Sequence, residues 1–159
     1  MSVNAIVAMD LNKGIGWEND LPWPRNEKDM NWFRRNTMGH VVVMGRKTWE
    51  SLGSKKLPGR INVVISKNQK LEGPDRVISG DLHYILERLR YEYPFLHIWV
   101  MGGADIYLQA LPHCDKLYIT MMKNVYRCDA FLYDMHLEEF TQTDYIDDDE
   151  NMTIQIRSK

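Results

Sequence analysis

A chain of 159 residues, 44% hydrophobic and 26% charged, has the size and make-up of one globular domain, long enough to bury roughly 70% of its unfolded surface in a single core. A formal net charge of -2 gives no electrostatic pull toward nucleic acid or anionic lipid, and no apolar run approaches the length of a membrane span. The two cysteines, Cys114 and Cys128, without a signal segment ahead of them, read as reduced thiols of a cytoplasmic protein, and the five scattered histidines lack the spacing of a metal site.

Val3 to Met9 is a nearly continuous run of β-forming residues, as expected of a strand buried on both faces. From Asp10 to Asn26 no clear element follows; so long a connection is uncommon unless functional, and Trp17 and Trp23 suit a loop that closes over something apolar. Asn26-Glu27-Lys28-Asp29 fits a helix N-cap with an acid at the third helical position. Asp29 and Phe33 are four apart and share a face, flanked by Met30 and Trp32, so the same carboxylate that could serve as a cap could instead look into an apolar cleft. Burial there would raise its pKa and let it hold a cationic or amidine-like ligand.

Val41 to Met44 reads as a second strand, and Gly45-Arg46-Lys47-Thr48 after it opens a short helix whose amides, hydroxyl and cations suit a pyrophosphate. Ile61 to Ile65 is a third, ending at Ser66-Lys67, a pair suited to an additional phosphate such as the one separating NADPH from NADH. Asp81 caps a helix whose Leu82, Ile85, Leu86 and Leu89 share a face and which Pro94 closes. Ile98 to Met101 is a fourth strand; Gly102-Gly103-Ala104 lets backbone approach a bound group before a helix runs to Leu111 and stops at Pro112. Phe140 to Ile146 and Met152 to Arg157 alternate in polarity around Asp147-Asp148-Asp149-Glu150, an antiparallel hairpin at a half-exposed edge whose acidic run reads as a solvated turn.

This order predicts an α/β fold, one domain over residues 1–159, with a predominantly parallel central sheet flanked by helices and an antiparallel hairpin at the C-terminus. A glycine pair alone is commonly a tight turn and Arg46, Lys47 or Lys67 alone a surface charge. Together, at successive strand ends, they favour a dinucleotide.

The motifs also resemble a known family. Ile6-Val7-Ala8-Met9 with Gly14-Ile15-Gly16 and Leu21-Pro22-Trp23, then Trp32-Phe33-Arg34-Arg35-Asn36-Thr37, Val43 to Leu52, Leu57-Pro58-Gly59-Arg60, Ile65-Ser66 and Gly102 to Tyr107 follow one another as in dihydrofolate reductases, from about Ala5 to the C-terminal strand. The resemblance implies hydride transfer from NADPH to C6 of 7,8-dihydrofolate with protonation at N5, supplying tetrahydrofolate for one-carbon transfer and for thymidylate and purine synthesis. It implies Asp29 and Trp23 as catalytic residues, Asp29 binding the pterin 2-amino group and N3 and Trp23 holding an ordered water. Ile6, Ala8, Met30, Phe33, Leu52, Leu57, Arg60 and Met101 would bind substrate, Arg60 clamping the glutamate α-carboxylate, with Thr120 bonded to Asp29. The cofactor would meet Ala8, Ile15, Gly16, Gly45, Arg46, Lys47, Thr48, Ser66, Lys67, Gly102, Gly103, Ala104, Asp105, Ile106 and Tyr107. No metal and no partner chain is implied; a monomer is expected.

The chain departs from the commonest pattern at Pro24-Arg25-Asn26, one residue longer, which makes Glu27 the alternative acid, at the expanded Ser54-Lys55-Lys56, and at Ala130 and Tyr133 in the loop from Cys128. The rival readings are a riboflavin-pathway pyrimidine reductase of the same fold and a non-catalytic nucleotide-binding module.

Overall fold

The computed structural model describes residues 1–132 and 137–159; Tyr133 lies outside them. In chain order the described elements are β1 (Val3–Met9), β2 (Gly14–Gly16), α1 (Glu27–Thr37), β3 (Val41–Gly45), α2 (Arg46–Ser51), β4 (Ile61–Ile65) and β5 (Arg76–Ile78). Then come α3 (Leu82–Glu92), β6 (Ile98–Val100), α4 (Ala104–Ala110), β7 (Lys116–Met122), β8 (Ala130–Phe131), β9 (Gln142–Asp148) and β10 (Met152–Ser158). Eight strands form one sheet in the order β5-β4-β3-β6-β1-β7-β10-β9. It is parallel from β5 through β7, and β10 runs antiparallel to both β7 and β9. The chain is therefore an α/β protein built as its strand patterns predict.

The period of two in a strand sorts side chains between the sheet's faces. Ala5, Val7 and Met9 of β1 and Val41 and Val43 of β3 enter one buried cluster with Leu82, Ile85, Leu86 and Leu89 of α3 and Ala110 of α4. Ile6, Val42, Met44 and Val64 point the other way, into a cluster with Trp32 of α1, Trp49 of α2 and Trp99. Covered on both faces, the central strands carry almost no polar residue, as parallel sheets require. The helices begin where their caps allow: the Asn26 side chain accepts from Asp29 N–H at 3.0 Å and that of Asp81 from Tyr84 N–H at 3.3 Å.

Several expectations are corrected. The stretch from Asp10 to Asn26 contains β2, which pairs with β8; strands of two or three residues, like β5, are too short for a period to register. β7, whose apolar run Lys116, Tyr118 and Thr120 interrupt, is a further strand, between β1 and β10. α4 ends at Ala110, one residue earlier than expected, and Pro112 does not end helical structure altogether. It lies early in the 3-10 turn Leu111–His113, where a missing N–H costs nothing. The first hairpin strand spans Gln142–Asp148 instead of Phe140 to Ile146 and is exposed throughout, while Phe140 is buried.

Nor is the acidic run a merely solvated turn. Lys28 Nζ lies 2.6 Å from both Asp147 Oδ2 and Asp149 Oδ2, and Lys123 pairs with Asp148.

Candidate active site

β1 lies between β6 and β7, so the chain order reverses beside it, and open α/β sheets bind ligands at the carboxyl ends of strands at such a point. A cleft of about 730 Å³ opens there, walled by Ile6, Val7 and Ala8 of β1, by Met101 to Ala104 after β6, and by Asp29, Met30 and Phe33 of α1.

Asp29 owes its place to the cap. Asn26 takes its backbone N–H, which leaves the carboxylate free to turn inward instead of closing the helix end. Burial raises its pKa, and the nearby Thr120 hydroxyl of β7 pulls it part of the way back. Nearby, the buried Tyr107 hydroxyl donates to the Ile6 carbonyl at 2.7 Å, and burial and then the charge of Asp29 raise the phenol's pKa. A carboxylate and a backbone carbonyl thus face the same apolar cleft. Glu27 also lines it but is exposed.

At the mouth, Arg60 is held before any ligand arrives: Nε donates to the Pro58 carbonyl at 3.0 Å and Nη1 to Thr37 Oγ1 at 3.2 Å, with its guanidinium carbon 5.9 Å from the Phe33 ring centroid. Arg34 lines the cleft as well, and partial burial followed by its charge lowers the Arg60 pKa. Two cations at one opening favour an anionic ligand. Leu52 and Leu57 complete the wall.

On the other side the ends of β3 and β6 meet. Gly45 N–H donates to the Gly102 carbonyl at 2.8 Å, and a Cβ on Gly45 would stand 3.2 Å from Ile106 Cγ1, so a larger residue would press on Ile106. Thr48 Oγ1 lies 3.6 Å from where a Cβ of Gly103 would be. Neither Gly45 nor Gly103 supplies a side-chain cap, which leaves first-turn amides of α2 and α4 open to an acceptor. Gly102 has φ +113°, and a Cβ there would come within 3.0 Å of the Tyr107 ring. Gly102→Ala is therefore expected to cost about 1–3 kcal/mol of stability, read by chemical denaturation, and to weaken dinucleotide binding.

The loop after β1 is latched. Asp10, fully buried, accepts from Asn12 and Gly14 N–H at 2.9 and 2.8 Å through Oδ1 and from Tyr126 N–H at 2.9 Å through Oδ2. Asp129 donates its N–H to the Gly16 carbonyl at 2.8 Å and accepts from Glu18 N–H at 3.0 Å. Glu18 and Asn19, with φ 47° and 61°, turn the chain between Trp17 and Asp20, which exchange backbone hydrogen bonds. The loop so held places Ile15 and Gly16 along the cleft.

The model of the family described as dihydrofolate reductase matches residues 2–158. The chain belongs to the dihydrofolate reductase family. It is 37% identical over 140 residues to the dihydrofolate reductase of Haemophilus influenzae, covering 88% of this chain and 84% of that one. It is 34% identical over 143 residues to that of Bacillus subtilis, covering 90% and 79%. A solved structure of dihydrofolate reductase from Enterococcus faecalis, complexed with NADP(H) and RAB-propyl, superposes with a TM-score of 0.82 at 26% identity over 99% of this chain and 95% of that one. The chain is accordingly an NADP-dependent oxidoreductase that reduces dihydrofolate, and not a pyrimidine reductase of the same fold.

Of the residues singled out in this dihydrofolate reductase, the fold gathers Ile6, Ala8, Ile15, Gly16, Asp29, Met30, Phe33, Thr48, Leu52, Leu57, Arg60, Met101, Gly102, Gly103, Ala104 and Tyr107 around one cleft. Others stand off it. Trp23 lines a smaller adjoining cavity of about 230 Å³ and packs on Tyr126 at 5.5 Å between ring centroids. Arg46 pairs with Glu50, Ser66 Oγ accepts from Asn68 N–H at 3.1 Å, and Lys47, Lys67 and Asp105 are exposed. Sequence reasoning missed Arg25, Arg34, Ser51, Asp129 and Ala130 in the lining. Arg34 was within reach, since it lies four residues after Met30 on the same helical face; Asp129 and Ala130 arrive through long-range loop pairing that no local pattern encodes. Among the described residues no cluster of His, Cys, Asp and Glu is arranged to hold a metal, and no helix is long and apolar enough to cross a membrane.

Proposed function

We propose that dihydrofolate is reduced in this cleft with Asp29 as the group that binds and tunes the pterin. The half-buried carboxylate near Thr120 carries the reading: a 2-amino group and ring N3 present adjacent donors that a carboxylate accepts as a pair. The Ile6 carbonyl retains acceptor capacity beside the Tyr107 bond, and Met30, Phe33, Leu52 and Leu57 pack on the flat rings. NADPH supplies the hydride. The glycine approaches at Gly45 and Gly103, the open amides of α2 and α4 and the Thr48 hydroxyl fit its phosphates and ribose, while Arg46, Lys47, Ser66 and Lys67 lie further out as charge and hydroxyl partners of the nucleotide end. Water carries the proton to N5. Among the described residues the buried Trp23 indole N–H meets no acceptor, which supports its holding that water, and the latched loop keeps bulk solvent from the rings.

Arg60 binds the glutamate α-carboxylate through its remaining donors. Arg60→Lys keeps the charge but loses the fork, so KM for dihydrofolate should rise about tenfold with kcat within about twofold; steady-state kinetics with an unchanged KM would remove Arg60 from the site. The enzyme acts as a monomer in the cytoplasm, a reading supported by a cleft built from one chain and by two free thiols. Loss of NADPH absorbance on adding dihydrofolate, with NADH alongside, tests the whole. Turnover unchanged by Asp29→Asn would reject this reading of the cleft.

A further inference from the structure

Lys28 and Asp29 are consecutive in the first turn of α1 and project about 100° apart. One reaches out to the C-terminal hairpin, the other in to the cleft. Lys28 Nζ sits 2.6 Å from both Asp147 Oδ2 and Asp149 Oδ2. Asp149 is itself fixed to the start of β10: its Oδ1 accepts from Asn151 and Met152 N–H at 2.7 and 2.9 Å, and its own N–H donates to the Met152 carbonyl at 3.0 Å. β10 pairs with β7 in the register Met152↔Met122 and Ile154↔Thr120. The anchor of Lys28 and the hydroxyl facing Asp29 therefore stand close together on one rigid ladder. Lys123, just past β7, steadies the same turn through Asp148 and the Asp149 carbonyl.

We propose that Lys28 is a positioning residue for the reaction: its clasp on Asp147 and Asp149 pins the first turn of α1 to the β7–β10 ladder and so holds Asp29 within reach of Thr120. This rests on the reading of Asp29 as the pterin-binding carboxylate. Lys28 faces Asp147 and Asp149, and Asp29 faces the hydroxyls of Thr120 and Tyr107. Losing the clasp lets the turn move away from Thr120, which withdraws a donor from the carboxylate and raises its pKa further. With side chains about one-third to one-half exposed, 37% for Lys28 and 47% and 35% for the two aspartates, the clasp is open to screening by salt.

The ionisation of Asp29 decides the matter, followed by its carboxyl 13C resonance in the free, aspartate-labelled enzyme, with the signal assigned by Asp29→Asn. Lys28→Met alone would also remove a nearby positive charge, so the deciding protein is the double variant Asp147→Asn/Asp149→Asn. Asparagine keeps the oxygens that close the turn, and Lys28 keeps its charge. Loss of two anions acting through space would lower the Asp29 pKa; loss of positioning raises it. The expected result is a rise of about half a unit or more in the double variant and in Lys28→Met, near-parental values in Lys28→Arg, and hydride transfer slowed about threefold or more at low salt. A fall or no change in the double variant overturns the proposal whatever Lys28→Met does. Failure of the underlying reading is separate and shows as an Asp29→Asn enzyme that turns over at the parental rate.

Discussion

Asp29→Asn is expected to slow hydride transfer from NADPH to dihydrofolate by about a hundredfold or more at neutral pH, the scale of losing a group that controls protonation in the transition state. The amide is nearly isosteric and can still meet Thr120, so the cleft keeps its shape. On the proposed role of Asp29, what it loses is the negative charge that pairs with the pterin's two donors and favours protonation of the ring as hydride arrives. Single-turnover stopped-flow across pH reads this directly, and a parental rate would remove Asp29 from the mechanism. The same substitution should make the protein more stable at neutral pH. Below the ordinary value of 3.8 the carboxyl is protonated in both folded and unfolded chains. As pH rises from there to the raised folded value, the unfolded chain gives up its proton first, so the stability present in acid is lost across that window. Asparagine does not ionise and escapes the loss. Urea denaturation from acid to neutral pH should show the variant's advantage growing through that window, an activity retained at the expense of stability.

Trp49→Ala is expected to remove about 3–5 kcal/mol of folding free energy, a large fraction of the 5–15 kcal/mol typical of a whole domain. Trp49 is 1% exposed and heads the largest fully buried side chains. From α2 it fills the space between Val42, Met44 and Val64 of the sheet, with Leu52, Leu57 and Leu71 packed around. Its ring also lies 2.8 Å from where a Cβ on Gly73 would stand, so that loop closes directly over it. The indole N–H has no partner among the described residues; the loss comes from apolar burial and the cavity left behind, not from a broken hydrogen bond. A melting temperature lower by on the order of 10 °C should result. KM for dihydrofolate should rise as well, because Leu52 and Leu57 wall the cleft on one side and rest on this cluster on the other. Thermal unfolding and steady-state kinetics check both, and a loss under about 1 kcal/mol would mean that the core closes over the gap.

The sequence by itself determined the strands β1, β3, β4 and β6 and the two capped helices. Continuous apolar runs such as Val41 to Met44 can only be buried on two faces, and Asn26 and Asp81 mark helix starts by a local hydrogen bond that needs no distant partner. The motif order around Trp32, Gly45 and Gly102 resembled one family, and the whole-chain match upholds it. Only the tertiary structure decided which reading of Asp29 holds. Spacing alone favoured a capping acid; Asn26 caps instead, and the Asp29 side chain lines the cleft near Thr120 of β7, a strand remote in sequence. Tertiary structure likewise set Trp23 against Tyr126 and turned an acidic run into a clasp for Lys28. In each case the deciding partner lies about a hundred residues away, and local periodicity carries information only over the few residues that share a helix face or a strand.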